Sequence, residues 1–122
     1  MSTEPRTAMV DVFVTKPLEI DEPSWCAGHD DDRANYKVDV THNGPDHLIA
    51  PGGRELFHAS LTQAPFSHVD NTIGLYIESI DILGTHTPDE VDQLADALTE
   101  AADQLRALGR DLARILDGGE GQ

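Results

Sequence analysis

The sequence predicts an α+β fold: a small antiparallel sheet of four to five strands packed by one long C-terminal helix. Short segments with alternating apolar residues fill the first two-thirds of the chain, separated by Pro, Gly and Asn turns. From Thr87 onward the apolar residues recur every three or four positions, which is the period of a helix. The 122 residues suffice for a single domain, residues 1–122, with its own core. Segments 1–6 and 117–122 are polar or glycine-rich and are expected to be disordered.

Five segments are predicted as strands: 9–15, 36–42, 47–50, 54–63 and 72–83. In the first, Val10, Val12 and Val14 alternate with polar residues or Phe13, which indicates a half-buried strand. The Asn-Gly pair at 43–44 is a strong turn signal and predicts a hairpin that joins segments 36–42 and 47–50. In the last segment the apolar alternation changes phase near Ser79, which predicts a bulge or a change of face.

The helix is predicted over residues 87–116. Thr87 is the expected N-cap, Pro88 occupies the first helical position and Glu90 completes a capping box. The apolar residues form a broad stripe: Val91, Leu94, Leu98, Ala101, Leu105, Leu108, Leu112 and Ile115. The stripe is widened by an adjacent row of mostly small residues: Ala95, Ala102, Gly109 and Leu116. A helix of this length spans about 43 Å, whereas an eight-residue strand spans about 27 Å. A possible homodimer through the C-terminal helix is therefore one expectation, and a stripe fully covered by the chain's own sheet is the other.

Composition restricts the possible partners. The formal net charge is −15 and the pI is about 4.4, which disfavours nucleic acid and anionic membrane surfaces. The single cysteine rules out an intrachain disulfide. We see neither a signal peptide nor an apolar run of the roughly 20 residues that a membrane span requires. A cytoplasmic protein is expected.

The stretch from Trp25 to His47 predicts a metal site. Cys26 and His29 are separated by two residues, and His42 and His47 by four, which are spacings found in structural zinc sites. In the predicted hairpin, His42 and His47 face each other across the two strands. The other pair lies in a long loop, 18–35, which needs something to pin it. Since Cys and His suit zinc better than magnesium or calcium, we predict a structural Zn²⁺ bound by Cys26, His29, His42 and His47.

Three alternatives to this ligand set stay open. His58 can replace either hairpin histidine, since it lies on another predicted strand. The aspartates at 30–32 can supply an oxygen ligand or accept hydrogen bonds from the ligands. The histidines can also be unrelated residues at the surface and at the edge of the core, with no metal at all.

Several of these residues also carry a family resemblance. Pro23-Ser24-Trp25-Cys26-Ala27-Gly28-His29, Gln63-Ala64-Pro65-Phe66 and the Leu- and Arg-rich C-terminal helix resemble a family of small uncharacterised actinobacterial proteins, a domain of unknown function with a Trp-Cys-x2-His motif. The resemblance implies that Trp25, Cys26 and His29 are motif residues, whereas His42 and His47 rest on geometry alone. It implies no activity.

The sequence therefore favours a small zinc-stabilised protein-interaction or regulatory module of unknown process, without intrinsic catalysis. It contains no phosphate-binding glycine loop, nucleophile elbow or His-Glu-x2-His helix. One alternative is a zinc-dependent hydrolase that uses the same Cys and His cluster with a water in the fourth position. The other is a metal-free acidic decoy for a basic protein.

Overall fold

The computed structural model describes residues 4–29 and 35–118. The predicted disordered ends therefore lie partly outside the described residues, at 1–3 and 119–122, as do the aspartates at 30–32. The described part confirms the α+β fold. Four strands form an antiparallel sheet, β1 (His42–Asn43), β2 (His47–Ile49), β3 (Phe57–Gln63) and β4 (Gly74–Ser79), and one helix, α1 (Pro88–Gly118), follows them.

Strand β3 is the centre of the sheet. Both β1 and β2 pair with β3: His42 lies opposite Gln63, and His47 lies opposite Ala59. On β3's other side β4 pairs over six residues, from Thr62 opposite Gly74 to Phe57 opposite Ser79. The β1 and β2 registers differ by one residue, so the segment between them is a bulge in a single interrupted path along β3.

The predicted hairpin at 43–46 is therefore wrong. The chain does not reverse there: it continues along β3, and Gly44 N–H donates to the Leu61 carbonyl at 2.8 Å between the two strands. An Asn-Gly pair favours a tight turn locally, but the pairing with β3 prevails because the same segment fits it with one extra residue. The return strand at 47–50 exists as β2, with a different partner from the one predicted.

The strands predicted at 9–15 and 36–42 are also absent, except for His42. Residues 9–15 have no regular structure, Val10 and Val14 are 74% and 81% exposed, and Phe13 packs edge-on against Tyr36, with ring centroids 6.1 Å apart. Lys37–Asp39 forms a 3-10 turn. The Asn35 side chain accepts from Tyr36 N–H and donates to the Asp39 carbonyl, so local hydrogen bonds compete successfully with strand pairing.

The two longer predicted strands are confirmed with shorter bounds. The segment predicted at 54–63 begins at Phe57, since Arg54 N–H closes a 3-10 turn onto the Pro51 carbonyl. The segment predicted at 72–83 ends at Ser79, where the apolar alternation changes phase. Beyond it, Ile80 N–H still donates to the Leu56 carbonyl at 2.7 Å.

The core lies between the sheet and the middle of α1. Its fully buried members are Ile49, Leu56, Ala59 and Ala101. Around them pack seven partly buried side chains: Phe57, Leu75, Ile82, Leu94, Ala97, Leu105 and Leu108. The helix is 31 residues long, about 46 Å, but its contacts with this core run only from Leu94 to Leu108. Both ends of α1 therefore extend beyond the core.

Candidate metal centre

A short turn places the first candidate ligand. Cys26 N–H donates to the Pro23 carbonyl at 3.0 Å, so residues 23–26 form a turn. The next residue is fixed to the sheet, because Ala27 N–H donates to the Asn43 carbonyl at 2.8 Å. This bond holds the loop beside β1, next to His42. The long loop is thus pinned where the sequence placed its Cys and His residues.

Gly44 allows the loop to approach this closely. A Cβ added at Gly44 would lie 3.1 Å from the Trp25 carbonyl oxygen and 3.4 Å from the Leu61 Cβ. The glycine therefore serves as a point of close backbone approach within the bulge. Sequence reasoning assigned it to a hairpin turn and missed this role, although glycine inside a strand path is itself a signal of close approach.

Three candidate ligands converge beside this contact. Cys26 Sγ lies 3.5 Å from His29 Nε2, and His29 Nε2 lies 3.2 Å from His42 Nδ1. The ligand atoms of Cys26, His29 and His42 all lie within 4.8 Å of one another. In a tetrahedral zinc site the expected separations are about 3.6 Å between sulfur and nitrogen and about 3.4 Å between two nitrogens, from bond lengths of about 2.3 and 2.0–2.1 Å. The two distances from His29 Nε2 agree with those values.

His42 is the buried member of this cluster. It is 3% exposed, whereas Cys26 and His29 are half-buried. Burial lowers the pKa of His42 from the ordinary value of 6.5, the neighbouring His29 lowers it further, and the Glu22 carboxylate acts in the opposite direction. A lowered pKa keeps the imidazole neutral, and the neutral ring is the form that binds a metal.

Trp25 covers this histidine. The indole and imidazole rings meet edge to face, with centroids 6.2 Å apart and an interplanar angle of 87°. The indole Nε1 is buried and has no hydrogen-bond partner among residues 4–29 and 35–118. This contact packs the indole against the His42 ring beside the cluster.

His47 lies apart from the cluster. Its partner on β3 is Ala59, whereas His42 pairs with Gln63, four residues away. That difference corresponds to about 14 Å along the strand, too far for two ligands of one ion. His47 is also exposed. The expectation that His42 and His47 meet across a hairpin is wrong, because β1 and β2 are successive parts of one path.

The alternative ligands are placed as follows. His58 Nδ1 lies 2.5 Å from Asp46 Oδ2, on the far side of the bulge, and among the described residues it does not belong to the metal-ligand group. His86 Nε2–H donates to the Ile82 carbonyl at 3.0 Å, and His86 too is not part of the metal-ligand group found among the described residues. The aspartates at 30–32 lie outside the described residues.

A family model described as a domain of unknown function, DUF6907, matches residues 7–114. The chain belongs to this family. The match confirms the resemblance to a domain of unknown function, and it covers the candidate centre and most of α1. Searches of curated proteins and of solved structures gave no match. Within the described residues of this DUF6907 protein, no helix is both long and apolar enough to cross a bilayer.

Proposed function

We propose that this DUF6907 protein is a small protein-interaction or regulatory module in which a structural zinc ion fastens the Cys26 loop to the sheet. The observation that carries the proposal is the convergence of Cys26, His29 and His42, whose ligand atoms lie within 4.8 Å of one another, with the distances from His29 Nε2 to the other two suited to zinc. The three groups come from two segments that are far apart in sequence. An ion bound there would join the loop to β1.

The donor set favours zinc over harder ions. A thiolate and two imidazoles are borderline-soft ligands, whereas magnesium and calcium prefer oxygen. Cysteine binds as the thiolate and histidine as the neutral ring, so zinc binding releases protons. Burial lowers the pKa of His42, which favours the neutral ring that binds zinc.

The first test is metal content. Protein purified without chelator is expected to contain about one zinc per chain by elemental mass spectrometry, and a Cys26→Ala variant is expected to lose it. His42→Ala should also lose zinc, whereas His47→Ala should retain it, because His47 lies outside the cluster. The His47 variant is the matched control for the loss of a histidine. A stoichiometry near zero in the unmodified protein would overturn the proposal.

A zinc-dependent hydrolase is the second candidate, since three protein ligands with an open fourth position are typical of catalytic zinc. The three-residue group supports it. Cobalt substitution separates the two functions, because cobalt(II) reports its coordination through visible absorption. A spectrum unchanged by added azide favours a closed structural site. A spectrum that shifts with azide indicates an exchangeable position and favours the hydrolase.

A further inference from the structure

Helix α1 carries a second apolar column beside the one that packs on the core. Its residues follow a strict seven-residue repeat, with Val91, Leu98, Leu105 and Leu112 at one position and Ala95, Ala102, Gly109 and Leu116 at the other. At 100° per residue, the centre of this column is rotated by about 70° from the buried Ala101. It shares Leu105 with the core-facing side. Leu112 points in nearly the same direction as Ala101 but lies beyond Leu108, and the other six residues are rotated by about 60° or more from Ala101.

Five of the eight residues in this column are exposed in the single chain. Val91, Leu98 and Leu116 are 51%, 38% and 48% exposed. Ala95 and Gly109 are exposed as well, and a Cβ added at Gly109 would meet nothing within 4 Å. Apolar residues at alternating intervals of three and four form the seam of a two-helix coiled coil. The column therefore has the spacing and the space to accept another helix.

The charges along α1 favour a particular second helix. Residues 88–103 carry six acidic side chains and no Lys or Arg, whereas residues 104–118 carry three arginines and two aspartates. In a parallel pair, the N-terminal halves of the two helices, each with a charge of −6, would lie against each other. Two antiparallel copies would place each −6 half against a +1 half and would also align the helix dipoles favourably.

Side-chain size favours the same arrangement. In an antiparallel pair centred between Asp103 and Gln104, Leu98 faces Gly109, Leu105 faces Ala102 and Leu112 faces Ala95. In these three pairs a large side chain meets a small one, which fills the seam and lets the backbones come close, whereas Val91 and Leu116 face each other at the ends of the seam. In a parallel pair small residues would face small residues and leave voids.

We propose that the second apolar column of α1 binds a second copy of this chain, with the two helices antiparallel. The contact does not depend on the metal centre, because no candidate ligand lies on α1. The exposed ion pairs within α1, Arg106 with Asp103 and Arg114 with Asp111, are weak and can rearrange when a partner helix arrives.

The mass in solution tests the association. Sedimentation equilibrium of the full chain should give twice the 13.3 kDa chain mass at micromolar concentrations, both with zinc and with chelator. Ala95→Arg should weaken the dimer at least tenfold by placing a charge in the seam. Ala107→Arg, at an exposed alanine on the opposite side of the same helix, should leave the dimer unchanged. Circular dichroism verifies that both variants fold.

A monomer at all concentrations would overturn the proposal, and so would equal effects of the two variants. A dimer that dissociates on addition of chelator would place the contact at the metal centre instead and would also overturn it. A metal-free protein that remains dimeric would contradict the proposed zinc function alone. The two proposals can therefore fail separately.

Disulfide cross-linking tests the orientation. Ala102→Cys lies near the centre of the antiparallel pair and should form a disulfide with its own copy. Leu116→Cys should not, because the two copies of residue 116 would be about 38 Å apart along the helix axis. Peptide mapping by mass spectrometry separates these products from disulfides of Cys26. Self-linkage at 116 as efficient as at 102 would show parallel helices and overturn the antiparallel assignment.

Discussion

At the scale of single residues, the geometry of the candidate centre depends on Gly44. Any other residue would place a Cβ 3.1 Å from the Trp25 carbonyl oxygen, closer than an ordinary contact. The adjacent bond from Ala27 N–H to the Asn43 carbonyl then brings Cys26 and His29 to His42. The ligand residues can be identified in the sequence, whereas Gly44 was assigned to a hairpin turn and its role in bringing them together was not predicted.

We expect Gly44→Ala to displace the Cys26 loop. The new Cβ would lie 3.1 Å from the Trp25 oxygen, so the loop backbone must move by a few tenths of an ångström. The free energy of unfolding should fall by about 1 kcal/mol, the lower end for overpacking, and zinc affinity should fall with it. Urea unfolding and a competitive zinc titration measure the two effects.

Gly74→Ala is the control for this substitution. Gly74 also lies in the sheet, on β4, but a Cβ there would meet nothing within 4 Å. Alanine should therefore be neutral or slightly stabilising at this position, since it reduces the freedom of the unfolded chain. Equal losses of stability in the two variants would show that close approach at Gly44 is unimportant.

At the scale of elements, helix α1 is the part of the chain whose local signals agree with one another. Thr87 Oγ1 accepts from Glu90 N–H at 3.3 Å, and Glu90 Oε1 accepts from Thr87 N–H at 3.4 Å, as a capping box requires. The predicted helix, 87–116, matches the observed Pro88–Gly118 within the usual uncertainty of helix ends. Helix signals act within one turn, so a sequence reveals them directly.

We expect Thr87→Ala to destabilise the protein by about 1 kcal/mol, because the Glu90 N–H then loses its capping acceptor. Thr99→Ala is the matched control in the middle of α1, where the hydroxyl donates to the Ala95 carbonyl. Alanine has the higher helix propensity, so this control should be neutral or slightly stabilising. Thermal unfolding measures both, and a loss at Thr99 as large as at Thr87 would contradict the capping role.

At the scale of the whole molecule, stability and metal binding should be linked. An ion that binds only the folded chain stabilises it by about 2.7 kcal/mol at a hundred times its dissociation constant. For a chain of this size that corresponds to a rise in Tm of about 10 °C. The ion would join the Cys26 loop to β1, so the added stability should appear as a higher free energy of global unfolding.

Calorimetry in zinc and in chelator measures this link. The unmodified protein should show the higher Tm in zinc, and magnesium should have no effect because the donors are sulfur and nitrogen. A Cys26→Ala variant should have the same Tm in zinc and in chelator. An equal rise with zinc in that variant would indicate binding elsewhere on this acidic chain.

The sequence by itself determined the features that depend on neighbours a few residues apart. These are the capped helix, the positions of the two longer strands, the α+β class and the residues of suitable chemistry, Cys26, His29 and His42. Local rules gave wrong predictions where pairing with a distant segment decides the structure. Residues 9–15 pair with no strand within the described part of the chain, and the Asn-Gly pair lies in a bulge instead of a hairpin turn.

Only the tertiary structure decided which candidate ligands meet. Pairing of both β1 and β2 with β3 places His42 beside the Cys26 loop and moves His47 about 14 Å along the strand. The physical reason is that strand register is set by the partner strand, through hydrogen bonds between residues distant in sequence. The same sequence pattern is compatible with more than one register between two strands, but each register brings different side chains close together.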